Sequence, residues 1–350
     1  MLADRSPAVV RTPDRGHAIS SMLPRVSEVE VTPADVRAAF TRIHGRVRRT
    51  PLAVVGPDDL WLDSGGCLKL EYVQHTGTFK ARGAFNRILG ARERGELDPS
   101  VGIVVASGGN AGLANAYAAA QLDVPATVFV PLTAPATKVA RLRSYGATVV
   151  QHGQEYAEAF TAAMEQVERT GAVYCHAYDQ PEIVAGAGTL ALELLDQADE
   201  ANLRIDTVIV AVGGGGLMGG IAAALDGRAR VVAVEPRGAA TLHAALKAGA
   251  PVDVPVSGIA ADSLGARRIG SIAWDIARQA DLVSVLVDDD AIIAARRALW
   301  DRARIAVEHG AACAVAAITS GAYRPEPGER IAIILCGANT DPSDLAYAPA

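Results

Sequence analysis

Aromatic side chains are scarce in this chain of 350 residues. Phenylalanine, tyrosine and tryptophan together make up only 5% of the sequence, whereas 50% of the residues are hydrophobic. The core must therefore be built mainly from alanine, valine, leucine and isoleucine. Such side chains suit helices packed against parallel sheets that are covered on both faces, and the chain is long enough for two domains.

The sequence also lacks a strong excess of one charge and lacks long apolar runs. Its formal net charge is −6, and basic and acidic residues are mixed along the chain. There is no basic stretch that would follow a phosphate backbone, so we expect no nucleic-acid partner. No apolar run reaches the roughly 20 residues that a membrane-spanning helix needs, so we expect no membrane partner.

Cysteine is sparse as well. The four cysteines are far apart and form no Cys-x-x-Cys pair, a pattern typical of free thiols, and we predict a cytoplasmic protein. The first residues carry charges and prolines but no apolar segment, so they do not read as a signal peptide. We predict a disordered leader over residues 1–25.

Short β-branched runs alternate with alanine-rich segments along the chain. The predicted strands are Val101–Ala106, Ala126–Val130, Thr148–Gln151, Thr207–Val212, Val231–Glu235 and Ile331–Cys336. The predicted helices are Pro33–Ile43, Ala81–Leu89, Asn110–Ala120, Ala136–Tyr145, Tyr156–Arg169, Ala185–Asp196, Leu217–Leu225, Ala291–His309 and Ala311–Thr319. This alternation predicts two α/β domains with mostly parallel sheets, and a cleft where the carboxyl ends of the strands bind ligands.

One lysine stands in an unusual place. Lys80 follows the small-residue turn Thr76-Gly77-Thr78 and Phe79, and it comes directly before a predicted helix. Buried lysines are rare unless they are paired or reactive, and burial lowers the pKa of the amine and frees it for Schiff-base chemistry. The alternative is an ordinary surface lysine in the first turn of a helix.

Two glycine-rich loops follow predicted strands and open predicted helices. They are Ser107-Gly108-Gly109-Asn110 and Gly213–Gly216. Bare amide groups and a helix N-terminus suit a carboxylate or a phosphate. The first loop is equally consistent with a capped strand–helix turn. Four consecutive glycines are costly in conformational entropy, which favours the close approach of a phosphate at the second loop.

The second loop also contains the pattern Gly-x-Gly-x-x-Gly at Gly214, Gly216 and Gly219, and the next strand ends in Glu235. A dinucleotide site, and with it a nicotinamide-dependent oxidoreductase, is therefore an alternative. That alternative leaves Lys80 and Asn110 without a role.

Cys336 ends the last predicted strand, where a small core residue is the simpler interpretation. An amine, a phosphate loop, a carboxylate loop with an asparagine, and a thiol nevertheless make a coherent set. Together they match the needs of one cofactor, pyridoxal 5′-phosphate.

Four stretches carry a resemblance to a known family. LKLEYVQHTGTFKARGA, SGGNAG, AVGGGGL and LCGAN occur in the order and spacing of the serine/threonine dehydratases, which are tryptophan-synthase-β-like, fold type II, pyridoxal-phosphate enzymes. TAPATKVARLRSYGATVV and AGAGTLALELLDQ also resemble that family. The resemblance implies a large cofactor domain from residues 26–99 and 176–350 and a small mobile domain from residues 100–175.

The resemblance also implies a role for each site residue. Lys80 would hold the cofactor as a Schiff base and act as the base at Cα. The implied cofactor-binding residues are Phe79 beside the ring, Asn110 at the phenolic oxygen, Gly213, Gly214, Gly215, Gly216 and Leu217 at the phosphate, and Cys336 at the pyridine nitrogen. The implied substrate-binding residues are Ser107, Gly108 and Gly109 at the carboxylate, with Thr76 and Thr78 nearby.

The implied reaction is the elimination of water from a β-hydroxy amino acid, such as threonine or serine, to give a 2-oxo acid and ammonia. A neutral thiol at Cys336 suits elimination, because the ring is then a shallower electron sink than beside an aspartate. β-Replacement and racemisation are alternatives, although Gly108 stands where racemases of the family carry a serine. The expected partners are an amino-acid substrate and a second copy of the chain in a homodimer.

Many relatives complete a divalent-metal site with a second carboxylate near the position of Glu235, where this sequence has Thr241. We therefore predict no divalent metal. A monovalent cation held by backbone carbonyls is left open.

Overall fold

The computed structural model describes residues 10–11 and 30–345. Its strands are β1 (Val10–Arg11), β2 (Leu52–Val55), β3 (Gly66–Lys69), β4 (Ile103–Ala106), β5 (Ala126–Val130), β6 (Thr148–Gln151), β7 (Val173–Tyr174), β8 (Thr207–Ala211), β9 (Arg230–Pro236), β10 (Leu282–Val287) and β11 (Ile331–Ile334). Its helices are α1 (Pro33–Arg42), α2 (Lys80–Glu93), α3 (Asn110–Gln121), α4 (Ala136–Ser144), α5 (Tyr156–Thr170), α6 (Pro181–Glu200), α7 (Gly216–Leu225), α8 (Thr241–Ala248), α9 (Ala261–Leu264), α10 (Ser271–Ala277), α11 (Asp289–Ala303) and α12 (His309–Thr319).

The larger sheet has seven strands in the order β1-β10-β9-β8-β11-β3-β2. The five inner strands run parallel, and the two edge strands run antiparallel to their neighbours. Every residue of β8 is buried, as expected for a strand covered on both faces. Helices α6 and α7 lie so close together that a Cβ at Gly220 would be only 2.3 Å from the carbonyl oxygen of Val184.

The smaller sheet has four parallel strands in the order β6-β5-β4-β7. These strands lie inside the range 100–175 that was predicted as a separate domain. The apolar core beneath them also includes Ile43 from the chain after α1 and Phe85 and Ile88 from α2. The core of this unit therefore extends beyond the predicted range, and its mobility stays a prediction.

A buried ionic cluster anchors the start of α2. The Arg82 guanidinium is fully buried and contacts Glu71 at 2.6 Å and Glu193 at 3.0 Å. The amine of Lys69 is also fully buried and lies 2.6 Å from the other oxygen of Glu193. Buried charges need partners of this kind. Because Arg82 lies in the first turn of α2, the cluster fixes the helix start from which the side chain of Lys80 extends.

The alternation of strands and helices is confirmed, and β5 and β6 are confirmed residue for residue. The predicted helix Ala291–His309 is wrong over residues 304–308, since α12 begins only at His309. α11 ends at Ala303, and Arg304 caps it with a left-handed backbone conformation, φ 56°. Strands β1, β2, β3, β7 and β10 and helices α8, α9 and α10 were not predicted.

Two residues of the predicted disordered leader are ordered. Val10 and Arg11 form β1, which pairs antiparallel with Ser284 and Val283 of β10. The rest of residues 1–25 lies outside the described residues. Among the helices that the structure describes, none is long and apolar enough to cross a membrane.

Candidate active site

A cavity of about 600 Å³ lies where strands of the two sheets end. The residues that end β4 and β8, Ala106 and Ala211, line it, as does Cys336 just after β11. This is the position that parallel sheets favour for ligands. Its wall includes every predicted cofactor residue and three predicted substrate residues: Phe79, Lys80, Asn110, Gly213, Gly214, Gly215, Gly216, Leu217, Cys336, Ser107, Gly108 and Gly109.

Lys80 begins α2 and turns its amine toward the cavity. Its Nζ donates a hydrogen bond of 2.9 Å to the carbonyl oxygen of Ala177 and lies 4.8 Å from the centre of the Phe79 ring. Desolvation by the surrounding protein lowers the pKa of Lys80 from 10.5 to about 8, although the nearby Cys336 and Glu308 oppose the shift. A useful fraction of the amine is therefore neutral near physiological pH.

The glycine loop is shaped by Tyr178, which lines the same cavity. A Cβ at Gly214 would lie 2.4 Å from atoms of the Tyr178 ring, and a Cβ at Gly216 would lie 2.6 Å from its carbonyl oxygen. Gly215 has a left-handed backbone, φ 86°. The loop therefore has to be bare backbone, and it runs directly into the N-terminus of α7.

The second loop leads from β4 into α3. The backbone N–H of Gly109 donates to Oγ of Ser107 over 3.3 Å. A Cβ at Gly109 would meet nothing within 4 Å, whereas one at Gly108 would lie 3.2 Å from Val130. Asn110 then begins α3 with its side chain in the cavity wall. The loop thus leaves open space beside the helix N-terminus.

Glu308, which is not among the predicted site residues, belongs to the cavity wall. Its carboxylate lies 3.0 and 3.2 Å from Nδ2 of Asn110 and accepts the backbone N–H of Asn339 over 3.2 Å. Burial raises the pKa of Glu308 to about 7, against the lowering effect of these hydrogen bonds. The sequence had placed Glu308 inside a continuous helix. A single acid within the apolar stretch Ile305 to Val315 was the available signal.

Cys336 is buried, and desolvation raises the pKa of its thiol well above the ordinary value, so the thiol is neutral at physiological pH. Thr76 and Thr78 were predicted near the substrate carboxylate, but neither lines the cavity. Their hydroxyls are buried and have no hydrogen-bond partner in the part of the chain that the structure describes. Thr76 has a left-handed backbone, φ 61°, and Thr78 bridges to Gly337. Both residues belong to the turn before Lys80 and are not among the residues that line the cavity.

His176 was not predicted, yet it also lines the cavity. Its Nδ1 accepts the backbone N–H groups of Tyr178 and Asp179 over 3.1 and 2.8 Å. Burial lowers the pKa of His176. The ring is therefore neutral and carries its hydrogen on Nε2. Nearer the rim, Lys138 of α4 pairs with Asp262 of α9 and joins the two units across the cavity.

Among the described residues, Glu235 is bonded by backbone amides and a hydroxyl and is not paired with a second carboxylate. It accepts the backbone N–H groups of Leu242 and His243, each over 2.8 Å, and the hydroxyl of Thr241 over 3.2 Å. Burial raises its pKa to about 7. Within residues 10–11 and 30–345, no group of three or more His, Cys, Asp or Glu residues is arranged to hold a metal ion.

Comparisons with known proteins agree on one family. Residues 44–337 match the model for "Pyridoxal-phosphate dependent enzyme". The chain is 35% identical over 311 residues to an L-threonine ammonia-lyase of Geobacter sulfurreducens, covering 87% of this chain and 75% of that protein. It is 37% identical over 283 residues to a phenylserine dehydratase of Ralstonia pickettii, covering 79% and 84%.

The chain is also similar to solved structures over most of its length. A threonine deaminase of T.th. matches with a TM-score of 0.81 and 34% identity over 91% of this chain and 100% of that one. Maize serine racemase matches with a TM-score of 0.82 and 32% identity over 90% and 95%.

Proposed function

This chain belongs to the family of pyridoxal-phosphate-dependent enzymes, and we propose that it eliminates water from a β-hydroxy amino acid to give a 2-oxo acid and ammonia. The observation that carries the proposal is the amine of Lys80. Its pKa is lowered to about 8 in a cavity that also contains the glycine loop and the neutral thiol of Cys336. Relatives named for threonine and phenylserine support the same reaction class.

The residues present fit pyridoxal phosphate. The loop Gly213–Gly216 is a cradle that Cβ atoms would fill or strain, and it ends at the N-terminus of α7, where backbone N–H groups favour a phosphate. Lys80 would hold the cofactor aldehyde, Phe79 would pack beside the ring, and Asn110 would bind the phenolic oxygen. Cys336 would stand at the pyridine nitrogen, where its neutral thiol does not compel protonation of the ring.

The side chains divide the work of elimination. Bound pyridoxal phosphate supplies an electron-withdrawing ring that acidifies the Cα–H bond of the amino acid. The neutral amine of Lys80 accepts that proton, which its lowered pKa makes feasible near neutral pH. Ser107, Gly108 and Gly109 bind the substrate carboxylate in front of α3, where the helix N-terminus favours an anion.

A bulky β-substituent is the second candidate for the substrate. The cavity of about 600 Å³ has open space at Gly109, and its wall includes Ala134 and the ring of Tyr156. A phenyl group would suit such a wall better than the small methyl group of threonine would. Rates of 2-oxo acid release from L-threonine, L-serine and phenylserine would rank the three.

The experiment combines the absorbance spectrum of the purified protein with a 2-oxo acid assay. We expect a visible band from the bound cofactor that is lost in Lys80→Ala and retained in Lys247→Ala, which changes an exposed lysine. We expect 2-oxo acid and ammonia in equal amounts. A band without any 2-oxo acid would leave the cofactor in place and refute elimination. Chiral analysis of the recovered amino acid would then detect racemisation, and added thiols would detect β-replacement.

We also propose a cytoplasmic homodimer. The four cysteines are buried and unpaired, which fits a reducing compartment. The homodimer follows from the family resemblance, and light scattering on the purified chain tests it. Replacing potassium and sodium by tetramethylammonium in the assay tests whether a monovalent cation is needed.

A further inference from the structure

The side-chain amide of Asn110 has one defined orientation, set by a chain of hydrogen bonds that begins at a backbone carbonyl. The carbonyl oxygen of Thr76 accepts a bond of 2.9 Å from Nδ2 of Asn339, which fixes the amino end of that side chain. The same nitrogen donates to Oδ1 of Asn110 over 2.6 Å. The oxygen of Asn110 therefore faces Asn339, and its amino group faces the other way.

The amino group of Asn110 meets Glu308. Nδ2 lies 3.0 and 3.2 Å from the two carboxylate oxygens. An ionised carboxylate only accepts hydrogen bonds, so Glu308 requires the amino group of Asn110 on its side. Asn339 donates to the oxygen of Asn110, so both neighbours favour the same orientation of the amide. Nδ2 carries two N–H groups, and one remains for a ligand when the other is donated to Glu308. Both Asn110 and Glu308 line the cavity.

The backbone makes room for this carboxylate. A Cβ at Gly337 would lie 2.4 Å from Oε1 of Glu308, and the backbone N–H of Glu308 donates to the Gly337 carbonyl over 3.1 Å. Glu308 is only 7% exposed. Burying a carboxylate is costly unless it is well partnered, and here the partners are Asn110 and Asn339. A buried acid on the cavity wall is therefore a candidate for a function at the site.

We propose that Glu308 is a positioning residue: it holds Asn110 so that the amino group, and not the oxygen, is presented to the phenolic oxygen of pyridoxal phosphate. This inference rests on the proposed binding of that oxygen by Asn110. The phenolic oxygen is a hydrogen-bond acceptor when it is ionised. A flipped Asn110 would set one acceptor against another and would weaken cofactor binding.

Two substitutions of similar volume test the role of the acceptor. Glu308→Leu removes it, and we expect pyridoxal phosphate to bind about tenfold more weakly with a shifted visible band. Glu308→Gln keeps an oxygen that can accept from Asn110, so we expect binding within about threefold of the wild type. The measurement is a titration of the cofactor-free full-length chain with pyridoxal phosphate, followed by absorbance. Glu329→Gln is the matched control, because Glu329 is buried outside the cavity wall and bonds to Tyr323.

Asn110→Ala separates positioning from a general structural effect. If Glu308 acts through Asn110, adding Glu308→Leu to Asn110→Ala should weaken binding by no more than about twofold further. Should Glu308→Leu fail to fold, Gly337→Ala displaces the carboxylate sterically and should give the same loss of affinity. Wild-type affinity in Glu308→Leu or in a folded Gly337→Ala would overturn the proposal. Equal losses of cofactor affinity in Glu308→Leu and Glu308→Gln would also overturn it. So would a further tenfold loss of affinity when Glu308→Leu is added to Asn110→Ala.

The readout is cofactor binding in the absence of substrate. An enzyme that releases no 2-oxo acid would refute the elimination reaction without affecting this test. A chain that binds no pyridoxal phosphate at all would refute both.

Discussion

The most direct consequence of the cavity is that Lys80 should be an unusually reactive amine. Desolvation lowers its pKa to about 8, from an ordinary value of 10.5. We expect the reactivity of Lys80 in the cofactor-free chain to rise with pH and to level off above about pH 8. The direction follows from the sign of the shift, because the neutral amine is the reactive form and it accumulates as pH rises through the pKa.

The magnitude follows from the two pKa values. At pH 7, a pKa of about 8 leaves roughly one amine in eleven neutral, whereas a pKa of 10.5 leaves roughly one in 3000. Lys80 should therefore carry about 300 times more neutral amine at pH 7 than an ordinary lysine. The comparison uses the same chemical group, so the difference reports the environment of the site alone.

Competitive acylation measures this difference residue by residue. The chain has only four lysines, Lys69, Lys80, Lys138 and Lys247, so each can be followed in its own peptide by mass spectrometry. Trace acetic anhydride at pH values from 6 to 11 gives a titration curve for Lys80. The exposed Lys247 in the same tube corrects for decay of the reagent.

A midpoint near pH 8 would support the assignment of Lys80 as the base. A midpoint above pH 10 would refute the reasoning, because the cavity would then not desolvate the amine. Glu308→Gln provides a further check: Glu308 raises the pKa of Lys80, so its neutralisation should move the midpoint to lower pH.

Three further substitutions test the packing around the site. Gly216→Ala places a methyl group 2.6 Å from the carbonyl oxygen of Tyr178, so we expect a loss of about 1–3 kcal/mol in unfolding free energy and weaker cofactor binding, measured by urea denaturation and absorbance titration. Arg82→Met leaves two buried glutamates without their guanidinium and should cost about 3–5 kcal/mol in the same denaturation assay. Lys138→Met breaks a partly exposed ion pair with Asp262 and should change the unfolding free energy by less than about 1 kcal/mol.

Each of these expectations has a contradicting result. Full cofactor affinity in Gly216→Ala would mean that the loop can yield without harm. Wild-type stability in Arg82→Met would mean that the buried carboxylates are satisfied without the arginine. A loss of several kcal/mol in Lys138→Met would mean that the rim pair is coupled to packing that its exposure does not reveal.

The sequence by itself determined the architecture and most of the wall. β5 was predicted with its correct ends because a buried parallel strand is a continuous apolar run with clear limits. The edge strand β6 was also predicted with its correct ends, although its residues are exposed or half-buried. The glycine loops and Lys80 could be recognised because each lies in a local pattern, directly after a strand or turn and at the start of a helix. Local patterns of this kind depend on neighbours along the chain.

Tertiary structure decided the rest, since desolvation and hydrogen bonding act through space. Asn110 and Glu308 are 198 positions apart in sequence yet share two short contacts. Only folding could show that the left-handed Arg304 ends α11 and allows Glu308 to reach the cavity. The same folding buries the hydroxyls of Thr76 and Thr78 and leaves both residues out of the cavity lining, although both belong to the motif that carries Lys80. A motif therefore specified which groups gather at the site, and the packing of distant segments specified which of their atoms face it.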